Sequence, residues 1–283
     1  MLRSGKICVF AAALQMALGS GCSTWSVSAL PTEPPATRIP LDSVVLEAAF
    51  VRIPADSAGS RLWQDVDESI LTAEQRRHLR ANGLRAGILG AQIPEPLQSQ
   101  LDEQQTLQLA DQRDFASNAL TSSQKTITSR SGERSELVIV PEIDDGTAVL
   151  LNDEGRIRGL SFQAGQALLA VRSYPSGDGT VRLELTPEIQ HGPVKQQWVP
   201  GNGSFLYDVG RDAHVFEGLR FEARLSPGQT LVLSSTEHAK GVGALCFASG
   251  QQRLVILIRL SQTQYDDLFA PQQRREPLAT PLD

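Results

Sequence analysis

Four histidines, three cysteines and scattered carboxylates are what this chain offers for chemistry. His78 lies in the run Gln-Arg-Arg-His-Leu-Arg. His191 follows Glu188 at the end of a strand-like segment, and His214 and His238 fall between such segments. No pair has the His-x-x-x-His spacing that sets two imidazoles on one helix face around a metal. Glu188, His191 and Asp212 are of metal-ligating types, but their spacing is not that of a known site. No Gly-x-Ser-x-Gly turn is present to present a serine nucleophile. Cys246 sits in Gly-Ala-Leu-Cys-Phe-Ala, an apolar run that points to a buried, inert thiol.

The remaining motifs have structural explanations. Asp144-Asp145-Gly146 and Asn152-Asp153-Glu154-Gly155 place carboxylates side by side, yet Asp, Asn and Gly are what hairpin turns need. The alternating acidic ligands of a calcium loop are absent. Lys240-Gly241-Val242-Gly243 follows no strand-to-helix pattern of a phosphate loop. Trp63 and Trp198 are candidate binding aromatics, with Trp63 placed beside the core residues of its helix. The expectation is a non-enzymatic protein with no catalytic, metal or cofactor-binding residue and no cofactor.

The elements that hold these residues follow from composition and pattern. The 283 residues are 41% hydrophobic and 20% charged, enough for one or two packed domains. The net charge of −6 argues against nucleic acid as the partner. Arg3 and Lys6 precede an apolar stretch from Ile7 to Leu18, too short to span a bilayer and patterned as a secretory signal. Gly19-Ser20-Gly21-Cys22-Ser23 is similar to a lipoprotein cleavage site and would make Cys22 the lipidated N-terminus. Its Leu18 stands four places before the Cys rather than three. Val27-Ser28-Ala29 is an alternative site for ordinary cleavage. Losing Arg3 and Lys6 leaves 24 basic against 32 acidic residues, a net of −8. The attachment is therefore expected to be lipid rather than a polybasic surface.

Residues 1–21 are thus expected as signal peptide and 22–43 as a Pro-rich, semi-rigid tether. Residues 44–112 are expected as a small strand-helix-helix-strand module. Its strand is Val44–Ile53, and helix 60–70 has Leu62, Val66 and Ile70 at helical spacing. A second helix starts at a Thr72/Gln75 capping box and stops at Gly83, and Leu84–Leu89 is a returning strand. Leu97 and Leu101 mark a short helix within 94–112. From 115 to 265 recurring turn signals predict an antiparallel β domain, followed by a polar tail at 266–283. Its expected strands are 124–130, 136–142, 147–151, 157–162, 167–174, 180–189, 194–199, 220–225, 230–235, 244–248 and 253–262. Ser176–Gly179 is a hairpin turn, and Phe205–Glu217 is expected as a loop or short edge strand. The fold class is α+β and β-rich, built on an antiparallel β sandwich.

Four segments resemble parts of bacterial secretins. Gly179-Thr-Val-Arg-Leu-Glu-Leu-Thr-Pro-Glu-Ile189 is similar to their strand that ends in a proline-led motif. Leu225-Ser-Pro-Gly-Gln-Thr-Leu-Val-Leu233 resembles the later Gly-Gln-Thr turn and strand, in the same order. Thr126–Leu137 and Val44–Val51 echo the opening hairpin and a ring-building domain. The resemblance implies a secretin-type β module. The long amphipathic hairpins of a pore are not found between Ile189 and Arg220. The expected function is an exported cell-envelope lipoprotein, a non-enzymatic structural or protein-interaction module at the periplasmic face of a bacterial membrane, the outer one. Its partners would be the membrane through lipid on Cys22, and a protein or a second copy of itself. Alternatives are a secretin-like component of a secretion assembly, an exported hydrolase and a carbohydrate-binding module.

Overall fold

The computed structural model describes residues 40–55, 62–95, 97–103, 124–200 and 205–266. The signal segment with Cys22, the tether up to residue 39, the connection over 104–123 and the tail from 267 lie outside the described residues.

The longest apolar runs occupy the middle of one antiparallel sheet. Its strands are β1 (Ser43–Pro54), β2 (Leu84–Leu89), β3 (Gln124–Arg130), β11 (Thr230–Ser235) and β13 (Gln252–Gln264), with the short β12 (Ala248–Ser249) paired to β13. The order is β2-β11-β13-β1-β3. In register, Ile256 lies between Phe50 and Leu233, and Ile258 between Ala48 and Leu231. One face of this sheet carries Leu46, Leu231, Leu233, Ile256 and Ile258 into the main core. The other carries Val51, Val232, Val255 and Leu257 against Leu62, Trp63, Val66, Leu97 and Leu101. Burial on both faces is why these strands read as continuous apolar runs instead of alternating ones.

A second antiparallel sheet completes the sandwich. It comprises β4 (Arg134–Ile143), β7 (Gly165–Pro175), β8 (Val181–Pro200), β9 (Phe205–Val215) and β10 (Phe221–Leu225), ordered β10-β8-β7-β4 with β9 also on β8. Its inner face contributes Leu169, Val171, Leu183, Leu185 and Phe221 to the same core. Its outer face is polar, so here the alternation survives. β5 (Thr147–Asp153) and β6 (Arg156–Phe162) form a separate two-stranded ribbon. Helix α1 (Ala73–Ala81) opens with the expected capping box, Thr72 Oγ1 accepting from Gln75 N at 3.1 Å and Gln75 Oε1 from Thr72 N at 3.0 Å. A helical segment over 97–103 is α2, and Gly241–Phe247 is α3.

The β-rich antiparallel sandwich is the expected class, and the pairing adds detail. β1 and β2, expected as the two strands of one N-terminal module, are separated by β11 and β13 from the other end of the chain. Long-range pairing with more apolar strands wins over local return. In the segment expected as helix 60–70, Leu62 is helical, but Asp67 exchanges two backbone hydrogen bonds with Ile88, at 2.8 and 2.9 Å, and Glu68–Ile70 is a 3-10 turn. Residues 180–189 and 194–199, expected as two strands, are one continuous β8. The segment after it, expected as a loop or short edge strand, is the 11-residue strand β9, so a pair of long strands does lie between Ile189 and Arg220.

The expected strand 244–248 is helix α3. Val242 with Cys246 and Gly243 with Phe247 are spaced i to i+4 and are all buried, so helical burial decides the short apolar run. Gly243 donates its N–H to Asn82 O at 2.9 Å. A Cβ there would clash with the Gly83 backbone, so only glycine allows α3 this close to the end of α1. Gly243→Ala should lower stability by about 1–3 kcal/mol, read as a lower urea midpoint. Gly159→Ala, with open space around the new methyl, should stay within about 0.5 kcal/mol.

Candidate functional site

The outer face of the second sheet is a lattice of ion pairs built by cross-strand register. Arg134 stands opposite Arg172, and Arg172 opposite Glu184. The like charges across β4 and β7 are separated by carboxylates. Arg134 bonds Glu188 at 2.6 Å and also Glu136, while Arg172 and Arg220 approach Glu184 at 3.5 and 3.6 Å. Gln190 Nε2 donates to Glu136 at 3.0 Å and Gln166 Nε2 to Gln190 at 2.8 Å. The small side chains of Ala170 and Thr186 leave a groove of about 380 Å³ between these walls. Glu188 is only 7% exposed, so its charge depends on Arg134. Every arginine of the groove already faces a carboxylate, and the arrangement acts chemically as a clamp holding β4, β7 and β8 in register.

Beyond this lattice β8 runs past the end of β7. Gly165, the first residue of β7, pairs with His191, so residues from Gly192 to Pro200 have no β7 partner. They continue on β9 as a two-stranded ribbon. The register shifts between His191 and Lys195, where Gly192, with φ 76°, donates to Gln163 O at 2.9 Å. A Cβ on Gly165 would clash with Gln190 O, so the β6–β7 turn presses closely on the root of the ribbon. Arg211 Nη1 donates to Ala164 O at 3.1 Å from the other strand. Lys195 Nζ donates to Asp212 Oδ1 at 2.7 Å across the shift and holds the Asp212 carboxyl below the usual carboxylate range.

Rings pack on the inner side of this root. Phe162 lies 5.2 Å from His191 and 5.6 Å from His214, and Phe216 meets His214 edge-on at 4.9 Å. Burial first, then the charges of His191 and Arg158, pushes the His214 imidazole below its ordinary value.

The register of the outer ribbon sets Trp198 opposite Tyr207 and Pro200 opposite Phe205. Among the described residues no further strand pairs with either edge of this part.

The sequence candidates scatter. Glu188 faces the outer lattice, whereas His191, three residues on, lies on the opposite face with Asp212 as its cross-strand neighbour. Period-two alternation therefore separates Glu188 from the other two. Among the described residues no group of three or more His, Cys, Asp or Glu side chains is arranged to hold a metal. His78 is on α1 and His238 in an exposed turn. Cys246 is buried, and burial pushes its thiol up to about 12. Trp63 is buried with the Arg85 guanidinium 4.2 Å above its ring. Asp144 and Asn152 hold turns: Asp144 O accepts from Thr147 N at 3.2 Å, and Asn152 Oδ1 from Gly155 N at 2.9 Å.

Sequence reasoning missed the ribbon. Its signal was present in Trp198, Phe205 and Tyr207, whose odd-even positions match only once the two segments are paired. No family model, curated protein or solved structure matches the chain.

Two predictions follow the site's charges. In the unfolded chain His214 regains its ordinary value of 6.5 and binds a proton more tightly than in the fold. Its burial costs nothing well above that pH and costs stability as pH falls through about 6.5 towards the folded value. The urea midpoint should drop between neutral and mildly acidic pH, and His214→Gln should flatten that drop. Arg134→Met, which strands the buried Glu188, should destabilise by about 1–3 kcal/mol. Arg224→Met, from an exposed pair with Asp178, should change stability far less in the same measurement.

Proposed function

We propose that this chain is an exported cell-envelope lipoprotein, held at the periplasmic face of the outer membrane by lipid on Cys22. It acts as a non-enzymatic structural or protein-interaction module. The observation that carries the interaction reading is the β8–β9 ribbon, which runs past β7 and whose register sets Trp198 opposite Tyr207 and Pro200 opposite Phe205. Aromatic side chains supply large contact area at low entropy cost and dominate protein interfaces. A strand pair without neighbours at its edges also suits β-augmentation by another chain. The apolar signal at Ile7–Leu18 and the Gly-Cys-Ser at 21–23 support export and lipidation.

A second reading, a secretin-like component of a secretion or export assembly, is favoured by the same long hairpin, because self-association through ribbons closes rings when the rotation repeats. Electron microscopy of detergent-extracted material separates the two: ring-shaped particles support the second.

The test has two parts. Intact mass of protein from its native membrane fraction should show a start at Cys22 plus acyl chains, and a lipid-free start at Leu30 would overturn the anchor. Trp198→Ser/Tyr207→Ser should weaken self-association or partner cross-linking at least about tenfold, as loss of two interface anchors does, with the urea midpoint unchanged. A parent protein that stays monomeric and cross-links to no envelope protein would overturn the interaction reading.

A further inference from the structure

The chain is acidic overall, yet one flank of its fold is basic. Ala73, Arg76, Arg77, Arg80 and Ala81 recur at the three- and four-residue spacing of one helix face. With Lys240, the residue before α3, they line a hollow of about 610 Å³. A second hollow of about 420 Å³ shares Arg80 and Lys240 and adds Arg85, Glu237 and His238. The two alanines keep the floor low, so the cations stand around it.

Carboxylates offset part of this charge, and Asp67 acts on Arg76 without an ion pair. Glu68 bonds both Arg80 and Arg85, at 2.7 Å to Arg85. Glu237 borders the second hollow, and Glu74 lies near Arg77 and His78 on the far side of α1. Among the described residues Arg76, Arg77 and Lys240 enter no ion pair. Arg76 and Arg80 repel at i,i+4, which weakens a helix by a few tenths of a kcal/mol. The core needs none of this charge, because Leu79 is the residue α1 buries.

We infer that this flank is a docking surface for the anionic, phosphate-bearing face of a phospholipid bilayer. Guanidinium forks match phosphate oxygens, and Lys240 adds a point charge. The choice of a bilayer rests on the reading of Cys22 as a lipid anchor. From Cys22 to Pro40 is about 18 residues, and a Pro-rich chain at about 3.1 Å per residue reaches about 55 Å. The fold can therefore lie against the surface that holds it. Stable anchoring takes two signals, and a basic patch beside a lipid chain is one such pair.

The test uses the full mature chain carrying Cys22→Ser, so that no lipid contributes. It is mixed with vesicles of phosphatidylcholine alone or with phosphatidylglycerol. Binding should appear only with the anionic lipid. It should be lost as salt shortens the screening length from about 10 Å at 0.1 M to about 3 Å at 1 M. Each cation near the surface contributes about fivefold, so Arg76→Gln/Arg77→Gln/Lys240→Gln should lower partitioning about 100-fold. Arg77→Gln/Lys240→Gln, which leaves Arg76 beside Asp67, should lower it about 25-fold, and circular dichroism checks that both variants fold. Equal binding by parent and variants, equal binding to neutral vesicles, or capture by soluble polyphosphate but not vesicles would each overturn the inference. Vesicle binding by a chain whose native mass shows no lipid would uphold the surface and remove the anchor. A lipidated native chain whose Cys22→Ser form ignores vesicles would do the reverse.

Discussion

β13 is hydrogen-bonded along its length to β1 on one side and over Val255–Arg259 to β11 on the other, and Val255, Ile256, Leu257 and Ile258 are buried on alternate faces. The rest of the fold is arranged around that double burial. A strand in this position needs a sheet against one face and a cover against the other. The second sheet supplies the first, and residues 62–66 with α2 supply the second. Because β1 and β2 lie near one end of the sequence and β11 and β13 near the other, the core closes only when distant parts of the chain meet. Such long-range pairing is slow to form and cooperative once formed.

β8 links that core to the ribbon that runs past β7. Its first half is an ordinary sandwich strand with Val181, Leu183 and Leu185 inside. Its second half leaves β7 behind. The change of role happens within a few residues, at the register shift between His191 and Lys195. Close backbone contact from Gly165, hydrogen bonds from Gly192 and Arg211, and the Phe162 and Phe216 rings together fix the root. A ribbon held this firmly at one end presents its far end without a large ordering cost on binding.

Charge is distributed by two different rules. On the outer face of the second sheet arginine and glutamate alternate across strands and satisfy one another, leaving a structural lattice with little free potential. On α1 the arginines share a face, and among the described residues Arg80 is the one matched by a carboxylate in an ion pair. Net charge therefore describes solubility and says little about this flank, whose local sign is opposite to that of the whole chain.

Much of the secondary structure was legible locally. Strands 124–130 and 230–235 match residue for residue, and the Thr72/Gln75 box marks the start of α1, because register, turns and caps are short-range chemistry. Segment 244–248 was misread, since five apolar residues fit either period and only the approach of Gly243 to Gly83 chooses the helix. Asp67 left its expected helix for a bridge to Ile88, a partner 21 residues away that no local pattern names. The separation of Glu188 from His191 was implicit in alternation along one strand. The pairing of position 198 with 207 was not, because it depends on a turn and a register shift. By itself the sequence determined where most strands and turns fall and that the class is β-rich, because those follow from side-chain periodicity and backbone preference. Tertiary structure alone decided which strands are neighbours, that β8 outruns β7 and that the α1 arginines stand beside Lys240, because those depend on burial shared between residues far apart in the chain.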